Sequence, residues 1–229
     1  MSDILLLGAG RGGYSAGGGG GGGGGEVTYT VSASADDGSF SRNNTSNTFP
    51  STFTSISTNA TTARSYKDVD DDGGQFDYKK AYFRFQNINI AQGTTIQSAF
   101  FKPIFKRGVR GSVTMDIVGT DVDNVSAPSS ASDGNSSLHT SAVVEWTNVD
   151  LPSGGTGAND TTRRTSPDIK TIIQEIVDRS GWSAGNAIMI QTFFDINIIF
   201  GTVYRDTRTY DDTSGGSAGD YAAQLVITT

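Results

Sequence analysis

The sequence predicts an all-β protein: a jelly-roll β-sandwich with one inserted α-helix and an extended glycine-rich arm at the N-terminus. Charged residues make up only 18% of the chain, and serine, threonine, asparagine and glycine fill the intervals between short apolar segments. This composition is typical of turn-rich β proteins and not of helical bundles. Alternating apolar and polar residues then indicate the strands, and one stretch with a helical period indicates the helix.

The arm is predicted over residues 1–25 and the globular domain over residues 26–229. The arm contains the apolar run Ile4-Leu5-Leu6-Leu7 and ends in nine consecutive glycines, Gly17 to Gly25. Glycine loses the most conformational entropy on ordering, so this run is predicted to be a tether. It spans roughly 17 Å as a coil and about 30 Å when stretched. The residues predicted to contact a partner are Ile4, Leu5, Leu6, Leu7 and Tyr14.

Eight segments rich in β-branched and aromatic residues are predicted to be strands, the first of them half-buried. They are Val27 to Ala33, Tyr82 to Phe85, Ala99 to Phe105, Val113 to Val118, Val143 to Trp146, Ala187 to Phe194, Ile196 to Tyr204 and Ala223 to Thr228. Phe49, Phe53 and Ile56 interrupt a polar stretch that is predicted to form a meandering edge. Residues 121–141 are predicted to be a polar loop.

One helix is predicted over about residues 166–180. Ser166 is the expected N-cap, Pro167 occupies the first helical position, and the Asp168 carboxylate complements the positive end of the helix dipole. Gly181 supplies the stop. Apolar residues at a spacing of 3.6 define one face that should pack on the sheets: Ile169, Ile172, Ile173, Ile176 and Val177.

The motif Asp68-x-Asp70-x-Asp72-Gly73 has the opening spacing of a calcium-binding loop. Its twelfth position is Lys79 instead of a bidentate glutamate, although Asp77 could partly substitute. Two interpretations remain open. One is a solvated acidic turn. The other is a structural calcium ion held by Asp68, Asp70, Asp72 and Asp77.

Two further clusters suggest contact with other molecules. Lys102, Lys106, Arg107 and Arg110 form a basic patch, which either binds an acidic partner or protects a sheet edge from unwanted pairing. Aromatic and planar charged residues form a predicted ligand rim near the end of the chain, although such tyrosines also cap sheets. These rim residues are Tyr204, Arg205, Arg208 and Tyr210.

No pattern indicates a catalytic centre, and the protein is predicted not to be an enzyme. Gly8 to Gly13 matches G-x-G-x-x-G, but polyglycine follows where the dinucleotide fold needs a helix. His139 lacks a nucleophile elbow or an oxyanion motif that would complete a Ser-His-Asp triad, and a surface loop explains it equally well. Glu145 is the best candidate for a glycosidase acid, yet its strand neighbours predict that it points to solvent.

Four segments, in order, resemble DNRLRE-type and related carbohydrate-module-like jelly rolls. They read AYFRFQNINIAQGTTIQSAFF, TSAVVEWTNV, TSPDIKTIIQEIVDRSGWSAGNAIMI and AAQLVITT, within residues 76–229. The helix-to-strand segment is the most specific, because it combines a capped helix, a Gly-Trp exit and a buried strand. The resemblance implies the jelly-roll fold. Such modules occur in secreted bacterial proteins and in phage structural proteins, so it implies little about activity.

The expected function is a non-enzymatic structural role in a virus particle, as a phage capsid decoration or fibre protein. The segment ILLLGAGRGG resembles the N-termini of some tailed-phage structural proteins. The arm would bind capsid or other virion proteins, and homo-oligomers are expected because one apolar run buries little area. The alternative is a carbohydrate-binding module or adhesin that recognises a cell-surface glycan.

The composition argues against several kinds of partner and against insertion into a membrane. The net charge of −7 argues against sequence-independent nucleic-acid binding, which needs a positive surface. The absence of cysteine excludes disulfides and thiolate metal sites. Ile4 to Leu7 is too short for a transmembrane span or a signal peptide. The expected location is therefore the virion surface, and no cofactor is expected apart from the calcium ion considered above.

Overall fold

The computed structural model describes residues 25–69, 74–109, 113–149, 160–196 and 201–229. The predicted arm contacts Ile4 to Leu7 and Tyr14 lie outside the described residues. The strands are β1 (Glu26–Thr30), β2 (Asp37–Asn44), β3 (Ser55–Thr58), β4 (Thr62–Val69), β5 (Phe76–Phe85), β6 (Ser98–Lys102), β7 (Phe105–Val109), β8 (Val113–Thr120), β9 (His139–Val149), β10 (Ile188–Phe193), β11 (Gly201–Arg208) and β12 (Gln224–Thr228). The helix is α1 (Lys170–Val177), and short 3-10 turns cover Ser34–Asp36, Ala131–Gly134 and Ser136–Leu138.

The strands form two antiparallel sheets, which confirms the prediction of an all-β sandwich with one helix. The smaller sheet has three strands in the order β1-β12-β6. The larger sheet has nine strands, of which seven follow the order β7-β11-β4-β5-β10-β8-β9. The other two are β2, which pairs with β5, and β3, which pairs with β2.

β5 is the strand on which the larger sheet is organised. β2 pairs with it along residues 76–83, β4 along residues 76–79 and β10 along residues 81–85. Its sequence FDYKKAYFRF is rich in aromatic residues, which favour strands. Successive residues point to opposite faces, so Lys79 lies on an open face, whereas Lys80 is fully buried.

The main core lies between the two sheets and is closed by α1. Phe83 of β5 packs against Phe101 of β6 with ring centroids 4.9 Å apart. Leu225 and Ile227 of β12 are fully or almost fully buried in the same cluster. A second, smaller cluster surrounds Phe40, where its ring packs against Tyr82 at 4.8 Å.

The predicted strand from Ala99 to Phe105 is two strands in different sheets. β6 belongs to the smaller sheet and β7 to the larger sheet, and Pro103 lies between them. Proline has no N–H to donate to a ladder, so the pairing ends there and the chain crosses to the other sheet. The first predicted strand is also less buried than expected, because Val27 is 47% exposed.

α1 is shorter than predicted. Ile169 occupies the N-cap position, and Ser166 binds β6 instead of capping the helix. Asp168 binds both elements, since its Oδ1 also accepts a hydrogen bond from the Lys170 amide at 2.9 Å. The Ser166 hydroxyl accepts a hydrogen bond from the Phe101 amide at 2.9 Å, and Asp168 accepts one from the Ala99 amide at 2.9 Å. The predicted apolar face is confirmed, since Ile169, Ile172, Ile173, Ile176 and Val177 are fully buried.

Candidate functional site

An open face of the larger sheet brings together two tyrosines and two cations. We call Tyr66, Tyr204, Arg64 and Lys79 the tyrosine face. β4 alternates strictly, so that Arg64 and Tyr66 are partly exposed between buried neighbours. Tyr66 lies directly opposite Tyr204 of β11 and opposite Lys79 of β5. The alternation of β4 and the register of its two neighbours therefore build this face.

The side chains of the tyrosine face form one packed group. The rings of Tyr66 and Tyr204 have centroids 6.4 Å apart at an angle of 38°. The Arg64 guanidinium lies 4.8 Å from the Tyr204 centroid and 5.7 Å from the Tyr66 centroid. The Lys79 ammonium lies 5.5 Å from the Tyr66 centroid. These distances are in the range of cation–π contacts.

A buried carboxylate fixes the position of Arg64. Asp206, with no exposed side-chain area, accepts hydrogen bonds from Arg64 Nε at 2.5 Å and Nη2 at 2.9 Å. The Arg107 guanidinium also lies 3.0 Å from Asp206. A bidentate pair of this kind restricts the orientation of the guanidinium plane. Arg64 is therefore held beside the two rings before any ligand arrives.

A polar pocket of about 190 Å³ adjoins the tyrosine face. Arg64 and Lys79 contribute to its wall and therefore connect it directly to the two tyrosines. Four hydroxyl side chains and one alanine complete the lining: Ser39, Ser41, Ser57, Thr62 and Ala60. Hydroxyls both donate and accept hydrogen bonds, so this lining suits a ligand that is itself rich in hydroxyl groups.

The Tyr66 hydroxyl stays protonated at neutral pH. Burial raises its pKa to about 12, and the negative charges of Asp68 and Asp77 add to the effect. A protonated phenol can donate a hydrogen bond as well as offer its ring.

The predicted ligand rim is only partly a surface. Arg205 and Arg208 are 0% and 1% exposed, so they cannot form the exposed rim that the sequence suggested. Arg205 donates to the carbonyl oxygens of Val109 and Val149 at 3.0 and 2.6 Å. Of the four predicted rim residues, Tyr204 and Tyr210 are half-buried, and Tyr204 joins the tyrosine face.

Arg208 has its own set of internal partners. It donates to Asp212 at 2.8 Å and to the Asp160 carbonyl at 3.0 Å, and its guanidinium lies 4.6 Å from the Tyr221 centroid. Aspartates and tyrosines flank Arg205 and Arg208 in the sequence, and such neighbours occur both around buried, hydrogen-bonded arginines and around exposed ones. The sequence alone therefore could not show that these two arginines are buried.

The predicted basic patch lies on the outer strands of both sheets within the described residues. Lys102 is on β6, and Lys106 and Arg107 are on β7. Lys106 pairs with Asp212 at 3.2 Å, and Arg107 pairs with Asp206, as described above. Arg110 lies outside the described residues. The positions of these cations fit the protection of sheet edges that the sequence offered as one interpretation.

Two of the four predicted calcium ligands meet. Asp68 and Asp77 lie opposite each other on β4 and β5, and the Thr202 hydroxyl donates to Asp68 at 2.6 Å. Asp70 and Asp72 lie outside the described residues. Among the residues that the structure describes, no three acidic or imidazole side chains surround a common point. Calcium binding at this loop stays a prediction.

His139 does not lie in a surface loop, as the sequence suggested. It begins β9 and contacts the buried Lys80, with 2.6 Å between His139 Nε2 and Lys80 Nζ. Lys80 also donates to the Gly134 carbonyl. Burial and the nearby Lys80 lower the pKa of His139 to about 3. Glu145 is exposed on the same strand, as predicted.

Several residues of these sites had no signal in the sequence. Arg64, Tyr66 and Lys79 belong to β4 and β5 segments whose pairing was not predicted. Lys80 lies on the buried face of β5, where a lysine side chain is rarely found. Burial alternates along residues 62–69, but the buried positions include Ser65 and Lys67, so the sequence carries no apolar alternation that could have indicated the tyrosine face.

No protein-family model matches the chain, and no similar curated protein was found. Within the described residues, none of the helical segments has the length and apolar character needed to cross a bilayer. The fold and the site therefore define a class only: an all-β sandwich protein with a polar and aromatic face on its larger sheet.

Proposed function

We propose that the domain is a non-catalytic carbohydrate-binding module that recognises a glycan through the tyrosine face and its adjoining pocket. The observation that carries this proposal is the packing of Tyr66 and Tyr204 around Arg64 at the rim of a hydroxyl-lined pocket. Recognition sites for small polar ligands combine apolar or aromatic surface with a few oriented polar groups.

The chemistry of a sugar ring matches both parts of the site. Its axial C–H groups form a weakly polarised apolar face that packs on an aromatic ring, whose own face is electron-rich. Its hydroxyl groups exchange hydrogen bonds with Ser39, Ser41, Ser57 and Thr62, and with the donors of Arg64. Tyrosines with few rotatable bonds provide contact area at low cost in conformational entropy.

A glycan array with the full chain tests the proposal. We expect the wild type to bind a defined set of glycans. We expect Tyr66→Ala and Tyr204→Ala each to raise the dissociation constant of the tightest-binding glycan about tenfold, which corresponds to about 1.4 kcal/mol of binding free energy. The matched control is Tyr29→Ala, because Tyr29 is a half-buried tyrosine of the smaller sheet.

Circular dichroism checks that each variant is folded. Unchanged binding by folded Tyr66→Ala and Tyr204→Ala variants would contradict the proposal, as would a wild type that binds no glycan on the array. If Tyr29→Ala loses as much glycan binding as the other two variants, the losses reflect reduced protein stability and not the removal of contacts to the glycan.

A structural role in a virus particle is the second candidate, and the N-terminal sequence favours it. An apolar tetrapeptide and nine glycines precede Glu26, where the folded domain begins with β1. A domain that starts immediately after a tether is suited to be carried by a larger assembly. In this proposal the protein is a capsid decoration or fibre protein on the particle surface, and it contacts other virion proteins through Ile4 to Leu7.

The two candidates are compatible. A fibre or decoration protein that is attached by its arm can also present the tyrosine face to a cell-surface glycan. The glycan array tests glycan recognition by the tyrosine face, and its result does not depend on whether the arm attaches the protein to a particle.

A further inference from the structure

Two carboxylates lie where β2 begins and where the chain leaves β11, and a third adjoins the first of them in the sequence. In that order they are Asp37, Asp211 and Asp36. Asp36 is almost fully buried and is satisfied, since its two oxygens accept hydrogen bonds from Arg84 and Gln86, each at 2.6 Å. The other two carboxylates are satisfied on one oxygen only.

Asp37 and Asp211 each keep one buried oxygen without a hydrogen-bond partner. Asp37 is 0% exposed; its Oδ2 accepts a hydrogen bond from the Tyr210 amide at 2.8 Å, whereas Oδ1 has no partner. Asp211 Oδ1 accepts one from the Ser34 hydroxyl at 2.6 Å, whereas Oδ2 is buried without a partner. Buried polar atoms are almost always satisfied, so two buried oxygens without partners on neighbouring carboxylates are candidates to share one ligand.

A hydrogen bond from a backbone amide places Asp37 beside the turn that contains Asp211. The Tyr210 amide that binds Asp37 belongs to the residue directly before Asp211. Arg84 is the only cation paired with these three carboxylates among the described residues, and it is used by Asp36.

We propose that a calcium ion binds between Asp37 Oδ1 and Asp211 Oδ2 and completes this buried site. Ionised carboxylates are very costly to bury unless a cation compensates them. Both orphaned atoms are hard oxygen donors, which is the ligand type that calcium selects.

The two carboxylates supply part of the coordination shell. Calcium takes six to eight oxygen ligands in an adaptable geometry, so backbone carbonyl and water oxygens complete the set. The ion would connect the 3-10 turn at Ser34–Asp36 and the start of β2 to the chain after β11. This site is separate from the Asp68–Asp77 pair, which lies on β4 and β5.

Calcium titration of the metal-free full chain, followed by thermal unfolding, tests the proposal. After treatment with EDTA, calcium chloride at about 100 times the dissociation constant is expected to raise Tm by about 5–10 °C. Asp37→Asn and Asp211→Asn are expected to abolish this rise. Asparagine at position 37 keeps an oxygen that can accept the Tyr210 hydrogen bond, so the variant is expected to fold.

Asp77→Asn is the matched control, since it removes one carboxylate from the other acidic pair. The proposal is overturned if calcium leaves Tm of the wild type unchanged. It is also overturned if Asp37→Asn keeps the rise and Asp77→Asn loses it, because the ion then binds at β4 and β5. If Asp37→Asn does not fold, calcium is titrated calorimetrically into the folded Asp211→Asn variant. A heat of calcium binding equal to that of the wild type would contradict the proposal.

Discussion

At the scale of single residues, Lys80 and His139 show how far tertiary packing can override side-chain preference. Lys80 is fully buried beside Phe53, whose ring centroid lies 4.8 Å from the ammonium nitrogen. Burial lowers its pKa well below the usual value. Two basic groups in contact, with aromatic rings around them, remain compatible with the fold only while the site carries little charge.

We predict that His139 makes the protein sensitive to acid. Its pKa is about 3 in the folded state and about 6.5 when unfolded. The unfolded chain therefore binds more protons between these values, and the free energy of unfolding falls as the pH drops from about 6.5 towards 3, by up to about 5 kcal/mol.

Urea unfolding of the wild type and His139→Gln at several pH values measures this effect. Glutamine keeps an acceptor for Lys80 but does not titrate. We expect the stability of the wild type relative to the variant to decline as the pH falls. Parallel pH profiles for the two proteins would refute the assignment.

At the scale of secondary-structure elements, the contact between α1 and β8 depends on a glycine. A Cβ at Gly119 would lie 2.8 Å from Ile172 Cγ2 and 2.8 Å from Ile176 Cδ1. Real Cβ atoms do not approach carbon atoms so closely, so a larger residue at position 119 must displace the side chains of Ile172 and Ile176 or move the helix itself.

We expect Gly119→Ala to lower the free energy of unfolding by about 1–3 kcal/mol. Gly25→Ala is the control, because nothing lies within 4 Å of an added Cβ at that position. Chemical denaturation of both variants measures the difference. Equal stability of Gly119→Ala and the wild type would show that α1 is not tightly packed on β8.

Sequence reasoning found the elements whose own pattern is strong. The apolar face of α1 and the strands around Tyr82 and Val144 were predicted, because periodicity reports burial directly. Prediction from the sequence failed where pairing between distant segments determines the bounds of an element. The division of residues 99–105 between two sheets follows from Pro103 only when both sheets are known, and the helix start follows from the bonds that Ser166 and Asp168 make to β6.

The candidate site was harder to predict than the fold. Tyr204 was identified as a ligand-contacting residue, but its partner Tyr66 comes from a strand 138 positions earlier in the chain. Register between β4 and β11 creates that pair, and register is not visible in either segment alone. The same limit explains why Arg205 was expected at the surface.

At the scale of the whole molecule, the proposed attachment and the proposed recognition belong to different parts of the chain. The arm precedes β1 in the smaller sheet, whereas the tyrosine face lies on the larger sheet. Loss of one part should therefore leave the other intact.

We predict that deletion of residues 1–25 leaves a folded domain that no longer associates with virus particles. The truncated chain begins at Glu26, the first residue of β1, so no described strand is shortened. Co-sedimentation with particles measures attachment, and circular dichroism confirms folding. A truncated protein that still sediments with particles would exclude the arm as the anchor.

The order of the smaller sheet has a consequence for synthesis on the ribosome. β12 lies between β1 and β6, so neither of these strands has its partner until residues 224–228 have emerged. β1 is made about 195 residues before β12, and β6 about 120 residues before it, and contacts between such distant segments form slowly. During that interval the exposed strands can pair with other nascent chains. Synthesis of β12 therefore ends the interval in which β1 and β6 lack the strand that pairs with both of them.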